Sequence, residues 1–299
     1  MLKFLLIFAV RTAEKSIYLN ENNYLCNSLK HDVFMDIELK KDGGFTYLEK
    51  GEGIPLIILH GLMGNLSNFE GMFDYFPDKG YQVIMPQLPI YELPLLKTNV
   101  KSLSKFVKKF IQYKGLKDFI LIGNSLGGHI ALYYAKMNPD DVAGMILTGS
   151  SGLYETTMSD GYPRRGDRDY ITKKVQQVFY DPNIATEEII DETFDTINSR
   201  SKLIRTLAIA KSAMRHNMAK DLTKMTMPVC LIWGKQDTVT PPKVAEEFHK
   251  LLPNSELYWI DKCGHAPMME HPDEFNKIVE QWLIKHGFTL AKQDENKNS

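Results

Sequence analysis

Two rhythms of apolar and polar residues alternate along the chain between Met35 and Lys285. Short apolar runs occur at Phe45 to Glu49, Leu56 to Leu59, Tyr81 to Met85, Phe119 to Ile122, Gly144 to Thr148, Val229 to Trp233 and Glu256 to Ile260. They are largely continuous, the pattern of strands buried on both faces of a parallel sheet. Longer stretches near Phe69 to Phe76 and over Val100 to Tyr113, Gly128 to Met137 and Pro272 to Lys285 follow a helical period. In Val100 to Tyr113, Leu103, Phe106, Val107, Phe110 and Ile111 share one face and lysines take the other, so that face is core. Strand and helix in strict alternation predict an α/β fold, a doubly wound and mostly parallel sheet. The first run is expected to form a hairpin with the second through Gly51-Glu52-Gly53.

Between Thr148 and Val229 lie about 80 residues with helical patterning and no strong strand signal, too long for a simple crossover. Tyr170 to Tyr180, Thr186 to Ile197, Lys202 to Arg215 and Ala219 to Lys224 are expected helices, with Asp181-Pro182 as a break. An insertion directly after a core strand falls at the carboxyl edge of the sheet, where ligands bind. Residues 151–224 are therefore expected to form a helical cap on a core made of residues 35–150 and 225–287. Residues 1–34, Asn-rich and without period, are set apart as an N-terminal extension, and residues 288–299 as a polar, disordered tail. Met1-Leu2-Lys3 followed by the apolar Phe4 to Val10 resembles a short signal peptide. It has no convincing cleavage site and falls far below the roughly 20 residues a bilayer span needs, so the expected location is cytoplasmic, with no stable membrane span.

Charge narrows the partners further. Thirty-six basic and 37 acidic residues give a formal net charge of −1, which offers no general attraction for nucleic acid and leaves only local patches. The three cysteines, Cys26, Cys230 and Cys263, lack metal-ligand spacing and cannot all pair, in keeping with a reducing compartment. A small-molecule substrate is the partner expected.

The chemistry centres on Gly123-Asn124-Ser125-Leu126-Gly127, which ends an apolar strand and opens a helix. A Gly-x-Ser-x-Gly turn forces the serine into a tight corner that exposes its hydroxyl above the sheet and aims the positive end of the following helix at developing negative charge. A serine nucleophile needs a base and a carboxylate to orient it. Asp237 follows the strand 229–233 and His265 follows the strand 256–260, both on loops at carboxyl ends of strands, in the order Ser, Asp, His. His249, His271 and His286 fall on or beside helix surfaces and are expected to be solvated. The oxyanion is assigned to the N–H groups of Leu126 and Leu62, the latter in the loop His60-Gly61-Leu62-Met63-Gly64 after the second apolar run. His60 is expected to scaffold that loop. Gly61, Met63, Asn124 and Met268 are the candidates for the substrate pocket; no metal and no organic cofactor is required.

Taken together, His60-Gly61, Gly123 to Gly128, Asp237 and Gly264-His265 resemble the α/β-hydrolase fold family over nearly all of residues 38–285. The resemblance implies an eight-stranded sheet with the helical cap. Within the family, Gly123 to Gly128, Trp233 to Asp237 and Cys263-Gly264-His265 look like the hydrolases that cleave carbon–carbon bonds in meta-cleavage products of aromatic degradation. Those enzymes typically carry glycines after His-Gly and a tryptophan after the histidine, where this chain has Leu62-Met63 and Ala266. Relatives acting on haloalkanes or epoxides use an aspartate nucleophile, which Ser125 disfavours. The expected activity is a carboxylic-ester hydrolase working through an acyl-enzyme, with carbon–carbon hydrolysis as the alternative and a non-catalytic ligand-binding module as the alternative of another class.

Overall fold

The structure, a computed structural model, describes residues 39–154 and 164–289. Eight strands form one sheet: β1 (Lys40–Asp42), β2 (Phe45–Lys50), β3 (Ile54–Leu59), β4 (Tyr81–Pro86), β5 (Phe119–Asn124), β6 (Val142–Thr148), β7 (Val229–Gly234) and β8 (Ser255–Ile260), in the order β1-β2-β4-β3-β5-β6-β7-β8. β1 and β2 are antiparallel to their neighbours and every other pairing is parallel. All residues of β5 and β7 are buried, which is why both read as continuous apolar runs.

The expected hairpin through Gly51-Glu52-Gly53 does not form. β2 turns back on β1 through Gly43-Gly44, at φ 57° and 79°, and pairs on its other edge with β4. β3 instead enters between β4 and β5, where it gains two parallel partners and full burial of Leu56 to Leu59. A hairpin would have left it at the edge.

Helices cover both faces, as the alternation of strand and helix predicts. α1 (Glu70–Tyr75), α2 (Val100–Lys114), α3 (Leu126–Met137) and the later α8 (Pro242–Leu251) and α10 (Pro272–Lys285) wind about the sheet. Ile57, Leu59 and Leu121 pack with Val107, Ile130 and Phe248 from α2, α3 and α8 on one side. On the other side, Gly144 leaves room for Trp282 of α10 and Phe288, both close to Ile120. α2 illustrates the local logic: Asn99 caps its start by accepting from Ser102 N–H, and Gly115 ends it at φ 64°.

The insertion between β6 and β7 holds α4 (Arg168–Gln176), α5 (Glu187–Asn198), α6 (Arg200–Arg215) and the short α7 (Ala219–Leu222); part of it, residues 155–163, lies outside the described residues. α4 and α5 share a small core of Ile171, Val175, Ala185 and Ile190. The helix expected to reach Tyr180 stops at Gln176, because the backbone groups of Gln177, Val178 and Tyr180 bond instead to Thr238, His265 and Glu270. Met268 sits on α9 (Pro267–Glu270), a turn of helix that the apolar pattern did not announce. The first residue of the expected tail, Phe288, packs on the core: its ring lies tilted against Trp282 with centroids 5.7 Å apart, and its carbonyl accepts from Tyr81 Oη at 2.8 Å. The expected N-terminal extension, with its signal-like segment and Cys26, and tail residues 290–299 lie outside the described residues.

Candidate active site

Ser125 joins β5 to α3 with φ 53° and ψ −118°, a backbone conformation that a residue with a Cβ holds only when its surroundings impose it. Three hydrogen bonds impose it here. Ser125 N–H donates to Thr148 O at 3.1 Å, and Ser125 O accepts from His129 N–H and Ser151 N–H at 3.2 and 3.1 Å. The glycines of the motif are there for contact. A Cβ on Gly127 would stand 2.0 Å from Leu59 O, one on Gly123 2.4 Å from Gly127 C, and one on Gly128 2.3 Å from Ser150 Oγ. Within the corner Asn124 and Leu126 are buried while Ser125 is partly exposed, so the hydroxyl-bearing residue is the one that solvent can reach.

Asp237 and His265 meet, although 28 residues separate them. Asp237 Oδ2 lies 2.9 Å from His265 Nδ1. Because a carboxylate can only accept, this contact makes Nδ1 the protonated nitrogen and leaves Nε2 as the basic one. Asp237 is 3% exposed, and its carboxylate is fully occupied: Oδ1 accepts from Val239 and Thr240 N–H at 2.8 and 2.9 Å, and Oδ2 also accepts from Thr240 Oγ1 at 2.8 Å. Asp237 to Thr240 is thus an Asx turn ahead of the proline that begins α8. Thr240 was not singled out from the sequence; the Asp-x-x-Thr-Pro spacing was the signal that could have marked it.

The His265 loop is held from three directions. Asn124 Nδ2 donates to Thr148 O and His265 O at 3.1 and 3.2 Å, so this buried side chain, expected in the pocket, joins the elbow to the histidine loop. Gly149, at φ 50°, faces the imidazole so closely that a Cβ would stand 2.9 Å from His265 Nδ1. From the insertion, Val178 O accepts from His265 N–H at 2.9 Å. Glu270 completes the clasp, taking Gly264 N–H on Oε1 at 2.8 Å and Tyr180 N–H on Oε2 at 2.7 Å. Neither Gly149 nor Glu270 carries a local sequence signal, since both act on residues distant in the chain.

The loop expected to supply the second oxyanion donor packs on the elbow. A Cβ on Gly61 would lie 3.3 Å from Asn124 Oδ1 and 3.5 Å from Ser125 Cβ, and Leu62 follows it, partly exposed. His60 fixes the loop from behind: Nδ1 bonds Gly61 O at 2.9 Å and Nε2 accepts from Leu88 N–H at 3.1 Å. Burial holds its pKa below the ordinary histidine value, only partly offset by the bond to Gly61 O, in keeping with a neutral ring. Leu126 is the first residue of α3, so its N–H is among those a helix leaves without an intrahelical acceptor. Of the two methionines expected in the pocket, Met63 is 40% exposed and Met268 is buried.

The three histidines expected on helix surfaces take partners elsewhere in the fold. His271 bonds Lys262 O and His249 bonds Ser255 Oγ; His286, expected to be solvated, is half-buried and lies 2.7 Å from Glu256 Oε1. Among the described residues no group of three or more His, Cys, Asp or Glu side chains could hold a metal ion, and no helix is long and apolar enough to cross a membrane.

A family model described as alpha/beta hydrolase fold matches residues 54–191 and 176–272. A Pseudomonas 2-hydroxy-6-oxononadienedioate/2-hydroxy-6-oxononatrienedioate hydrolase is 27% identical over 272 residues, which cover 84% of this chain and 96% of that one. The crystal structure of MGS-MChE2, an alpha/beta hydrolase enzyme from the metagenome of lagoon sediments at Mar Chica, Morocco, is 52% identical at a TM-score of 0.71 and covers 84% of this chain and all of its own. A thermophilic esterase from Thermogutta terrifontis shares the fold at a TM-score of 0.65 with 19% identity, over 84% of this chain and 97% of that one.

Proposed function

The chain belongs to the alpha/beta hydrolase fold family, and within it we propose a serine hydrolase that cleaves carboxylic esters of small to medium apolar acids through an acyl-enzyme. The observation that carries this reading is a partly exposed serine in a constrained corner, together with a histidine whose Nδ1 is engaged by a buried carboxylate at 2.9 Å. His265 Nε2 takes the proton from Ser125 Oγ as the oxygen attacks the ester carbonyl. The N–H groups of Leu62 and Leu126 receive the oxyanion, and Asp237 stabilises the imidazolium. Collapse of the tetrahedral intermediate breaks the C–O bond, and His265 gives the proton to the departing alcohol. Water then enters, loses a proton to His265 and releases the acid, restoring Ser125. In this reading the insertion caps the site.

Ester rather than carbon–carbon hydrolysis is favoured by the lining. The Pseudomonas relative is named for a dioate, and a dianionic substrate calls for cations, yet no lysine or arginine is buried among the described residues. Leu62 and Met63 stand after His60-Gly61, and a buried alanine, Ala266, follows the histidine. The identity to that relative, across nearly its whole length, keeps carbon–carbon cleavage as the second reading.

The test is hydrolysis of p-nitrophenyl esters of graded chain length beside a vinylogous 2-hydroxy-6-oxo dienoate, with fluorophosphonate labelling. Ester turnover and labelling, both lost in Ser125→Ala, are expected. Dominant turnover of the dienoate replaces the ester reading with the second one, and folded protein that neither labels nor turns over is a binding module.

A further inference from the structure

A net charge of −1 conceals a strongly polarised surface. α2 and α6 each carry five lysines or arginines and no acid, and the segment between Tyr91 and Asn99 adds Lys97 against a single acid, Glu92. These three elements are contiguous: Lys202 lies over the Tyr91 ring at 5.5 Å, Arg205 Nε donates to Leu93 O at 3.0 Å, and Val100 N–H at the start of α2 donates to Ser212 Oγ at 3.3 Å. The neighbouring α5 holds five acids and no base, but its Glu187 and Asp191 pair with Arg168 and its Glu192 accepts from Asn65. Lys97, Lys101, Lys105, Lys211 and Arg215 are exposed and have no carboxylate partner among the described residues.

Large apolar side chains stand in the same place. Leu96 is 97% exposed, Leu95 is about half exposed beside it, and Ile204 and Met214 are exposed on α6. On α6, Ile204, Lys211 and Arg215 recur at spacings of seven and four, one face of the helix. A surface that combines exposed apolar side chains with unpaired cations lowers its free energy where hydrocarbon lies below and anionic groups above. A nucleic acid would use the cations but would leave the two leucines in water, and Tyr91, the aromatic of this segment, is only partly exposed and lies under Lys202.

We propose that the face formed by residues 95–97, the start of α2 and the outer side of α6 docks the protein on an anionic lipid bilayer as a peripheral, non-spanning contact. The segment bearing Leu95 and Leu96 continues from Leu88, whose N–H is bound by His60 beneath the oxyanion loop. Docking therefore brings the carboxyl edge of the sheet toward the lipid, where apolar esters partition. The surface itself stands apart from the esterase reading.

Co-sedimentation of full-length Ser125→Ala with phosphatidylcholine vesicles, with and without phosphatidylserine, is the decisive experiment. Binding is expected with phosphatidylserine, weak without it, and reduced by added salt. Lys97→Glu/Lys101→Glu/Lys211→Glu should weaken it by about fivefold or more per position. Leu95→Ser/Leu96→Ser should weaken it at unchanged charge. In a Ser125 background both variants should hydrolyse a water-dissolved ester as the parent does, so that loss of docking and loss of catalysis are read separately. No binding to phosphatidylserine vesicles at low salt, or equal binding by the triple variant, overturns the proposal. Tighter binding to an RNA oligonucleotide that the leucine variant leaves unchanged overturns it in favour of a polyanion site.

Discussion

The corner that carries Ser125 and the first two helices of the insertion, α4 and α5, are held by different physics. At the elbow, backbone meets backbone: Gly127 rests against Leu59 O, Gly123 against Gly127, and β5 is buried throughout. Within the insertion, α6 and α7 run into the main apolar core through Ile209, Ala213, Met218 and Leu222, whereas α4 and α5 share only a small core of their own, and the segment between them is tied on by polar bonds such as Val178 O to His265 N–H. A close-packed interior does not shift by fractions of an ångström without cost, so Ser125 sits where geometry is fixed, while α4 and α5 rest on a small core of their own. The two meet at residues 177–180, where the insertion itself positions the His265 loop.

Breaking the fixed side should show the largest effects. Asp237→Asn should lower kcat/KM by about 10⁴ while leaving the fold intact, because the amide can reverse the imidazole tautomer; ester kinetics with circular dichroism of the same sample measures both. A fall of tenfold or less would separate Asp237 from the proposed chemistry. Gly127→Ala puts a methyl into Leu59 O and should cost more than about 4 kcal/mol, seen as failure to fold or a collapsed Tm. The matched change in the insertion, Gly166→Ala, meets no atom of the described residues within 4 Å and carries the penalty of φ 77°, about 1–2 kcal/mol. Equal losses at the two glycines would erase the contrast.

Smaller effects probe the seam. Glu270→Gln keeps the shape but weakens the bonds to Gly264 and Tyr180 N–H, and should cost about 1–2 kcal/mol, with protease cutting near residue 180 accelerated more than global unfolding. His129, on α3, lies 3.0 Å from His216 at the end of α6. Burial first, and then the charge of His216, lower its pKa from 6.5 to about 3. Folded His129 is neutral where the unfolded chain takes up a proton, so its contribution is complete above pH 6.5 and falls away as pH drops toward about 3. His129→Gln should flatten the fall of Tm with pH across that window, leaving the part that buried His60 contributes. An unchanged slope would remove His129 from the acid response.

Much of this was legible in local pattern. Continuous apolar runs marked the buried strands, and Gly-x-Ser-x-Gly marked the corner, because each is a short-range requirement written in adjacent residues. The hairpin expectation failed because neighbours in a chain need not pair when a buried slot between β4 and β5 offers more. The helix expected through Tyr180 failed because helical spacing cannot reveal that backbone groups at 177–180 are taken by residues 238, 265 and 270.

By itself, the sequence determined the alternation of strands and helices, the corner at Ser125 and the order of Ser125, Asp237 and His265, since periodicity and turn chemistry act over a few residues. The tertiary structure alone decided that Asp237 reaches His265, that Asn124 joins two loops, that Gly149, Thr240 and Glu270 hold the histidine and its carboxylate, and that Lys97, Lys101, Lys105, Lys211 and Arg215 stand on elements that touch one another. Those are meetings between distant parts of the chain, and they exist only once the sheet has brought its carboxyl ends together.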